Sequence, residues 1–291
     1  MSGLPTGAGR DDLPDDLPAI ARALAWARGR IDAMDARVLL RHVLQCPASR
    51  LAAWPEQLLD AEDWARYREL VERRLAGEPV AYLTGEREFY GRNFMVTPAV
   101  LIPRPDTELL VELTLAHVGD WRYARVLDMG TGSGALAITL ALELGEADVT
   151  ALDRSREALW VAMANAARLG ASVSFVQSDW FSALGGERFE LIVSNPPYVA
   201  AADPHLDEGD LRFEPRAALA AGPAGLDDLA EIAAGAARHL EPGGWLFLEH
   251  GYDQAPAVRG LLADAGFASI ASWKDLAGIE RVSGGRWLGR G

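Results

Sequence analysis

The chain has 291 residues, 49% apolar and 24% charged, with a formal charge of −14 and a single cysteine, Cys46. That length gives about two domains and room for a sizeable core. The acidic balance argues against a general phosphate-backbone binder, whose footprint is a basic face, and leaves room for a basic protein partner.

Residues 1–18 are rich in Pro, Gly and Asp and read as a flexible leader without the basic and apolar regions of a signal peptide. No apolar run approaches membrane-span length, so a cytoplasmic protein with no membrane partner is expected. One cysteine excludes an intrachain disulfide and reads as a buried small hydrophobe. His42, His117, His205, His239 and His250 show no metal-binding spacing, and no metal is expected.

Residues 19–84 read as a small helical domain. Val38, Leu39, Val43 and Leu44 form one apolar stripe, and Trp64, Tyr67, Leu70, Val71 and Leu75 form another, with Pro47 and Pro55 breaking the stretch. Residues 85–103 read as a linking β-hairpin, in which Phe89-Tyr90-Gly91 and Phe94-Met95-Val96 flank Arg92-Asn93. Asp106 is a good N-cap for the helix that follows. Over 104–291, strand-like Arg125–Asp128, 149–153, 174–177, 191–194 and 245–249 alternate with helical patterns. That alternation predicts an α/β fold with a doubly wound sheet.

The first of these strands runs into Gly130-Thr131-Gly132-Ser133-Gly134 and then a helix. Glycines let a backbone approach a ligand closely, and the helix start supplies free N–H groups. Asp153 ends the next strand, where a carboxylate accepts from ribose hydroxyls; the competing role is capping the helix near Arg156. Asp128, two positions before the first glycine, would repel a pyrophosphate but suit a sulfonium and an α-ammonium group. The pattern therefore favours S-adenosyl-L-methionine over a dinucleotide. Trp180, after the third strand, could stack on an adenine, with Asp179 accepting from its amine.

Asn195-Pro196-Pro197-Tyr198 follows the apolar run Leu191-Ile192-Val193. Asn-Pro is an ordinary loop punctuator, but this turn also offers a side-chain carbonyl, backbone carbonyls without competing donors, and an aromatic face. A planar –NH2 group would find two acceptors and a stacking surface here.

With the glycine loop, the tetrad resembles amino-methyltransferases that use a (D/N)-P-P-(Y/F) motif, adenine-N6 DNA methyltransferases among them. The flanks narrow the resemblance. Residues 78–85, Leu101-Ile102-Pro103-Arg104-Pro105-Asp106-Thr107-Glu108, Arg212-Phe213-Glu214-Pro215, Leu248-Glu249-His250-Gly251 and residues 274–282 are similar to the glutamine N5-methyltransferases that act on peptide chain release factors.

The resemblance implies a Rossmann-like methyltransferase domain using S-adenosyl-L-methionine, with the helical domain recognising substrate. It implies methylation of the glutamine in the Gly-Gly-Gln motif of bacterial class 1 release factors, without direct nucleic-acid binding. By matching motif, Gly130, Thr131, Gly132, Ser133, Gly134, Asp153, Trp180 and Asn195 line the cofactor site. Asn195, Pro196, Pro197 and Tyr198 hold the glutamine, with Asn195, Pro196 and Tyr198 as the catalytic set. A sister family methylates a glutamine of a large-subunit ribosomal protein, and a nucleic-acid adenine-N6 activity is the further alternative. Phe89, Arg104 and Glu108, in the segment that joins the domains, could close over the cofactor or substrate or simply form a rigid linker with a capped helix, while Phe213, Glu214 and His250 fall in the matching blocks without a role legible in the sequence. Ala221-Gly222-Pro223-Ala224-Gly225-Leu226 is a looser match, expected to lie away from the chemistry.

Overall fold

Asp32 and Asp60 each place a carboxylate where a helix needs an acceptor. Asp32 takes the Met34 N–H at 2.7 Å and Asp60 the Asp63 N–H at 2.8 Å, satisfying donors that a helix start leaves orphaned. They open α2 (Ala33–Leu44) and α4 (Ala61–Leu75) in the computed structural model, which describes residues 17–289 apart from Asp120 and Arg122. The expected leader lies outside the described residues except for Leu17 and Pro18. The chain divides into two compact units between Thr84 and Gly85.

In the first unit, α1 (Ile20–Arg28), α2, α3 (Ala48–Ala53), α4 and α5 (Val80–Thr84) enclose one apolar cluster that includes Cys46. Tyr67 is fully buried and donates its hydroxyl to the Ala36 carbonyl at 2.9 Å; left unpaired, that group would cost about 1–3 kcal/mol. Leu39 and Val43 are buried as the spacing predicts, beside Ala36 and Leu40, whereas Leu75 at the end of α4 is exposed.

The second unit begins with the hairpin β1 (Glu86–Phe89) and β2 (Arg92–Met95). Its turn is Tyr90-Gly91, not Arg92-Asn93. Both turn residues have positive φ, 49° and 73°, the backbone hand that matches strand twist, and Arg92 and Asn93 pair with Phe89 and Glu88. Glu108 accepts the Tyr90 N–H at 2.9 Å and so fixes this turn. Phe89 is a buried core residue. Asp106 lies within a 3₁₀ turn, Pro105–Thr107, that precedes α6 (Glu108–His117); it caps nothing and pairs with Arg281 at 3.2 Å.

The elements that follow are β3 (Arg125–Met129), α7 (Ala135–Leu144), β4 (Asp148–Asp153), α8 (Arg156–Leu169), β5 (Ser174–Gln177) and β6 (Phe189–Ser194). After them come α9 (Asp227–Ala236), β7 (Leu240–Glu249), α10 (Ala255–Asp264), β8 (Ala268–Lys274) and β9 (Glu280–Arg286). Among the described residues the sheet runs β5-β4-β3-β6-β7-β9-β8. The strands from β5 to β7 are parallel, and β9 is antiparallel to both β7 and β8.

Alternate residues feed opposite faces, as the strand period demands. Val126, Leu191, Val193 and Phe247 join the cluster containing α6 and α7. Leu127, Ile192, Leu246 and Leu248 join the one containing α9 and α10. The fold is therefore an α/β doubly wound sheet. Its strand order reverses between β3 and β6, and ligands of such sheets bind at the carboxyl ends there.

Candidate functional site

The glycine loop leaves β3 at the reversal point. Gly130 and Gly132 have φ of 73° and 54°, conformations that L side chains adopt only with strain. The loop is anchored from β4: the N–H groups of Gly130 and Thr131 donate to the Leu152 carbonyl, each at 2.9 Å. Asp153 Oδ2 accepts the Gly132 N–H at 2.9 Å and Oδ1 accepts the Ser155 N–H at 2.8 Å. Ser155, not Asp153, caps α8, accepting the Ala158 N–H at 3.1 Å. Burial raises the Asp153 pKa, and the Ser155 and Gly132 N–H bonds oppose the rise.

A cleft of about 840 Å³, open mouth included, lies over these carboxyl ends. Gly130, Gly132, Asp153, Asp179, Trp180 and Asn195 line it. The Trp180 ring lies beside Gly130, where an added Cβ would come within 3.6 Å of it. Trp180 has φ 44° and donates Nε1–H to Asp228 Oδ1 at 3.3 Å. An aromatic residue held at positive φ is a strained position of the kind that clusters at functional sites.

Thr131, Ser133 and Gly134 do not line the cleft. Thr131 donates its hydroxyl to Asp128 at 2.6 Å, and the Ser133 carbonyl accepts from Asn165 at 2.9 Å. Gly134 lets α7 meet α8: a Cβ there would lie 2.8 Å from Ile138 Cδ1 and 3.0 Å from Ala162 Cβ.

Asp128 also departs from the sequence expectation. It is 1% exposed, and its Oδ2 accepts from Thr131 and, at 3.2 Å, from the Ala137 N–H of α7. Burial pushes its pKa up to about 7, against those two hydrogen bonds. It braces the loop from within and presents no charge to the cleft.

Part of the cleft lining was not assigned by sequence reasoning. Val100, Leu101, Pro215, Ala217 and Ala218 also line the cleft. Glu214, whose side chain is fully buried, joins the two segments: it accepts the Ile102 N–H at 3.0 Å and pairs with Arg104.

Asn195 and Pro197 line the cleft, and Pro196 between them is buried. Asn195 Nδ2 donates to Thr107 Oγ1 at 2.9 Å, and among the described residues no hydrogen bond reaches Asn195 Oδ1. Tyr198 donates its hydroxyl to Glu249 Oε1 at 3.3 Å. Burial raises the Tyr198 pKa, and the neighbouring Glu249 charge adds to the rise. Glu249 is 1% exposed, and burial pushes its pKa up to about 7 against the Thr107 and Tyr198 hydroxyls.

The segment around Gly225 is not remote from the tetrad. A Cβ on Gly225 would meet the Tyr198 carbonyl oxygen at 2.1 Å. Gln254 donates to that carbonyl at 3.0 Å and to the Gly225 carbonyl at 3.3 Å. Thr107 and Glu249 went unassigned in the sequence, although a lone carboxylate ending the apolar run Leu246-Phe247-Leu248 is a legible anomaly. His250 is fully buried and bonds to Ser283 Oγ at 2.8 Å. Among the described residues no cluster of His, Cys, Asp or Glu could hold a metal ion, and no helix is long and apolar enough to cross a membrane.

A glycine loop, a carboxylate at the end of the second strand and an Asn-Pro-Pro-Tyr turn at the fourth define a methyltransferase of the Rossmann-like class. Residues 105–209 match the methyltransferase small domain family, and residues 19–85 match the PrmC N-terminal domain. A methyltransferase from Pyrococcus furiosus shares the fold, with a TM-score of 0.52 and 20% identity, over 75% of this chain and 98% of that one. So does the Thermus thermophilus 16S rRNA N2 G1207 methyltransferase, solved in complex with AdoMet and guanosine. It has a TM-score of 0.51 and 22% identity, over 70% of this chain and 50% of that one. The release factor glutamine methyltransferase of Burkholderia pseudomallei is 53% identical over 279 residues, 94% of this chain and 98% of that one. The chain belongs to the release factor glutamine methyltransferase family.

Proposed function

We infer that the protein transfers a methyl group from S-adenosyl-L-methionine to the N5 amide nitrogen of the glutamine in the Gly-Gly-Gln motif of bacterial class 1 peptide chain release factors. The observation that carries this reading is the Asn195 amide. Its Nδ2 is committed to Thr107, so its carbonyl oxygen is left for a substrate –NH2 at a cleft shared with Asp153 and Trp180.

The cleft suits the donor. Asp153 uses two of its roughly four acceptor positions within the protein and keeps the others for ribose hydroxyls. The bare Gly130 face beside the Trp180 ring fits a flat base, and Asp179 stands at hand for its exocyclic amine. S-adenosyl-L-methionine supplies an electrophilic methyl group carried on a sulfonium.

An amide nitrogen is a poor nucleophile because its lone pair is delocalised into the carbonyl. Asn195 Oδ1 and the Pro196 carbonyl accept its two hydrogens, orient the nitrogen and favour the positive charge that builds on it. Pro197 shapes the turn without competing donors, and Tyr198, tethered at Glu249, offers its ring to the amide plane. No dedicated base is needed, because an N-methylated amide cation loses its proton readily. The helical residues 19–84 serve as the substrate-recognition domain, 85–103 as the linking hairpin and 104–291 as the methyltransferase domain. An acidic chain suits a basic protein partner.

Labelled S-adenosyl-L-methionine, offered purified release factors and the large-subunit ribosomal protein in parallel, tests the reading. Label should appear on the release factor and vanish when its Gly-Gly-Gln glutamine is replaced. Label on the ribosomal protein alone would overturn the assignment.

A further inference from the structure

Gln254 stands at the start of α10, yet its side chain caps none of that helix's free N–H groups. Its polar head is used elsewhere. Nε2 donates to the Tyr198 carbonyl at 3.0 Å and lies 3.3 Å from each of the Ala224 and Gly225 carbonyls. Oε1 accepts the Gly251 N–H at 2.8 Å. One amide therefore joins the turn after β7, the Asn-Pro-Pro-Tyr turn and the loop before α9.

Tyr198 is the member of the tetrad held in this way. Its hydroxyl is tethered to Glu249 and its carbonyl to Gln254, so the short stretch from Glu249 to Gln254 grips both ends of the residue. Among the described residues no other donor reaches that carbonyl. The neighbouring groups are already engaged: the Val199 N–H donates to the Leu219 carbonyl at 2.9 Å, and the Val199 carbonyl accepts the Ala221 N–H at 3.0 Å. The space is also closely filled. A Cβ on Gly225 would lie 3.0 Å from Gln254 Nε2, and one on Gly251 would lie 3.0 Å from Oε1.

We propose that Gln254 is a positioning residue for methyl transfer, which acts through the Tyr198 carbonyl to hold Tyr198 and the turn behind it in register with the substrate amide. The proposal rests on the reading of Asn195-Pro196-Pro197-Tyr198 as the turn that orients that amide.

The residue type follows from what the position requires. Three carbonyl oxygens meet Nε2 and one N–H meets Oε1, so a single head must both donate and accept. A primary amide does this, whereas an ionised carboxylate only accepts and Lys or Arg only donates. Asparagine carries the same head on a stem one methylene too short. The route from Gln254 to the chemistry is a stiff one. Two prolines, each with φ fixed by its ring, separate Tyr198 from Asn195. A displaced Tyr198 main chain is therefore passed back to the Pro196 carbonyl and Asn195 instead of being absorbed between them. Misplacement of a reacting group by about 1 Å can cost on the order of 100-fold in rate.

Gln254→Glu tests this. Glutamate keeps the size of the side chain and an acceptor for the Gly251 N–H, but it turns a carboxylate oxygen toward the three carbonyls. With release factor and labelled S-adenosyl-L-methionine, at a temperature where both proteins are folded, the variant should lose kcat on the order of 10- to 100-fold. Its KM for the methyl donor should stay within about threefold of wild type, because Gln254 does not line the donor cleft. A merely structural glutamine would lower the melting temperature and leave kcat unchanged.

The Asn195→Ala background supplies the second readout. With the orienting oxygen gone, misplacing the turn has little left to disturb, so Gln254→Glu should cost less than about threefold there. If Gln254→Glu does not fold, Gln254→Met keeps the length of the side chain without its donors and carries the same two readouts. A folded variant with wild-type kcat, or an equal loss in both backgrounds, would overturn the positioning role while leaving the activity assigned above intact. Failure of the wild-type enzyme to label any release factor would instead overturn that activity, and the positioning role with it.

Discussion

Ser194 Oγ donates to the Met129 carbonyl at 2.7 Å, stitching the end of β6 to the end of β3 where the strand order reverses. The residue after each is a site residue, Asn195 on one strand and Gly130 on the other. This short hydrogen bond helps hold the turn proposed to orient the substrate amide beside the loop proposed to bind the methyl donor.

That proximity does not merge their roles. Asn195→Ala removes the acceptor proposed for the substrate amide and leaves Asp153 and Trp180 in place. Turnover should fall about 100-fold or more, while calorimetric affinity for S-adenosyl-L-methionine changes by less than about fivefold. Equal losses in both would mean that Asn195 binds donor and does not orient acceptor.

Two glycines of the same loop should fail differently. Gly134→Ala forces a Cβ to 2.8 Å from Ile138 and 3.0 Å from Ala162 at φ 81°, so denaturant unfolding should show a loss of about 1–3 kcal/mol. Gly130→Ala carries a similar backbone strain at φ 73° but meets only ordinary contact, 3.6 Å from Trp180, and puts its methyl on the face where the donor is proposed to bind. It should weaken donor binding more than it weakens folding. The opposite ranking of the two variants would contradict the placement of Gly134 in the helix contact.

Arg104→Ala leaves Glu214 buried with the Ile102 N–H as its remaining partner. Removing one partner of such a pair costs about 3 kcal/mol when both are buried, less here because Arg104 is a third exposed. The segments that Glu214 joins wall the cleft, so donor affinity should fall alongside the melting temperature. A variant that melts lower yet binds the donor as wild type would show that the wall holds without this pair.

Much of the fold could be read because its signals are local. β3, β4 and β5 alternate with α7 and α8, and the Asn-Pro-Pro-Tyr turn follows a plainly apolar strand. β9 escaped because packing there demands residues that disguise a strand. A Cβ on Gly284 would lie 2.5 Å from Phe247, and one on Gly285 would lie 2.8 Å from Phe267, so the sheet requires glycine where periodicity looks for Val or Ile. Asp128 was misread for a related reason: spacing reports that a carboxylate is near the loop, not which way it faces. Glu249 stands out locally as a carboxylate ending an apolar run, but its place beside Tyr198, like that of Thr107 beside Asn195, comes only from the tertiary fold.

Asp128 gives the fold a pH dependence whose sign can be worked out. Its pKa rises from 3.8 in the unfolded chain to about 7 in the folded one because burial disfavours the charge. Between those values the folded protein holds more protons than the unfolded one, so this group's contribution to stability declines as pH rises from about 4 to 7 and then levels off. Each unit of pKa difference is worth about 1.4 kcal/mol. Glu249 acts in the same direction, whereas Asp203 and Asp275, whose pKa values are lowered, act in the other. A wild-type profile alone therefore mixes opposing slopes, and the informative quantity is the difference from Asp128→Asn. Asparagine keeps an oxygen for the Thr131 hydroxyl and the Ala137 N–H but cannot ionise. Urea midpoints taken from pH 4.5 to 8 should show the variant gaining on wild type up to about pH 7 and running parallel beyond it. A constant offset across the range would mean that Asp128 is ionised throughout in the folded protein.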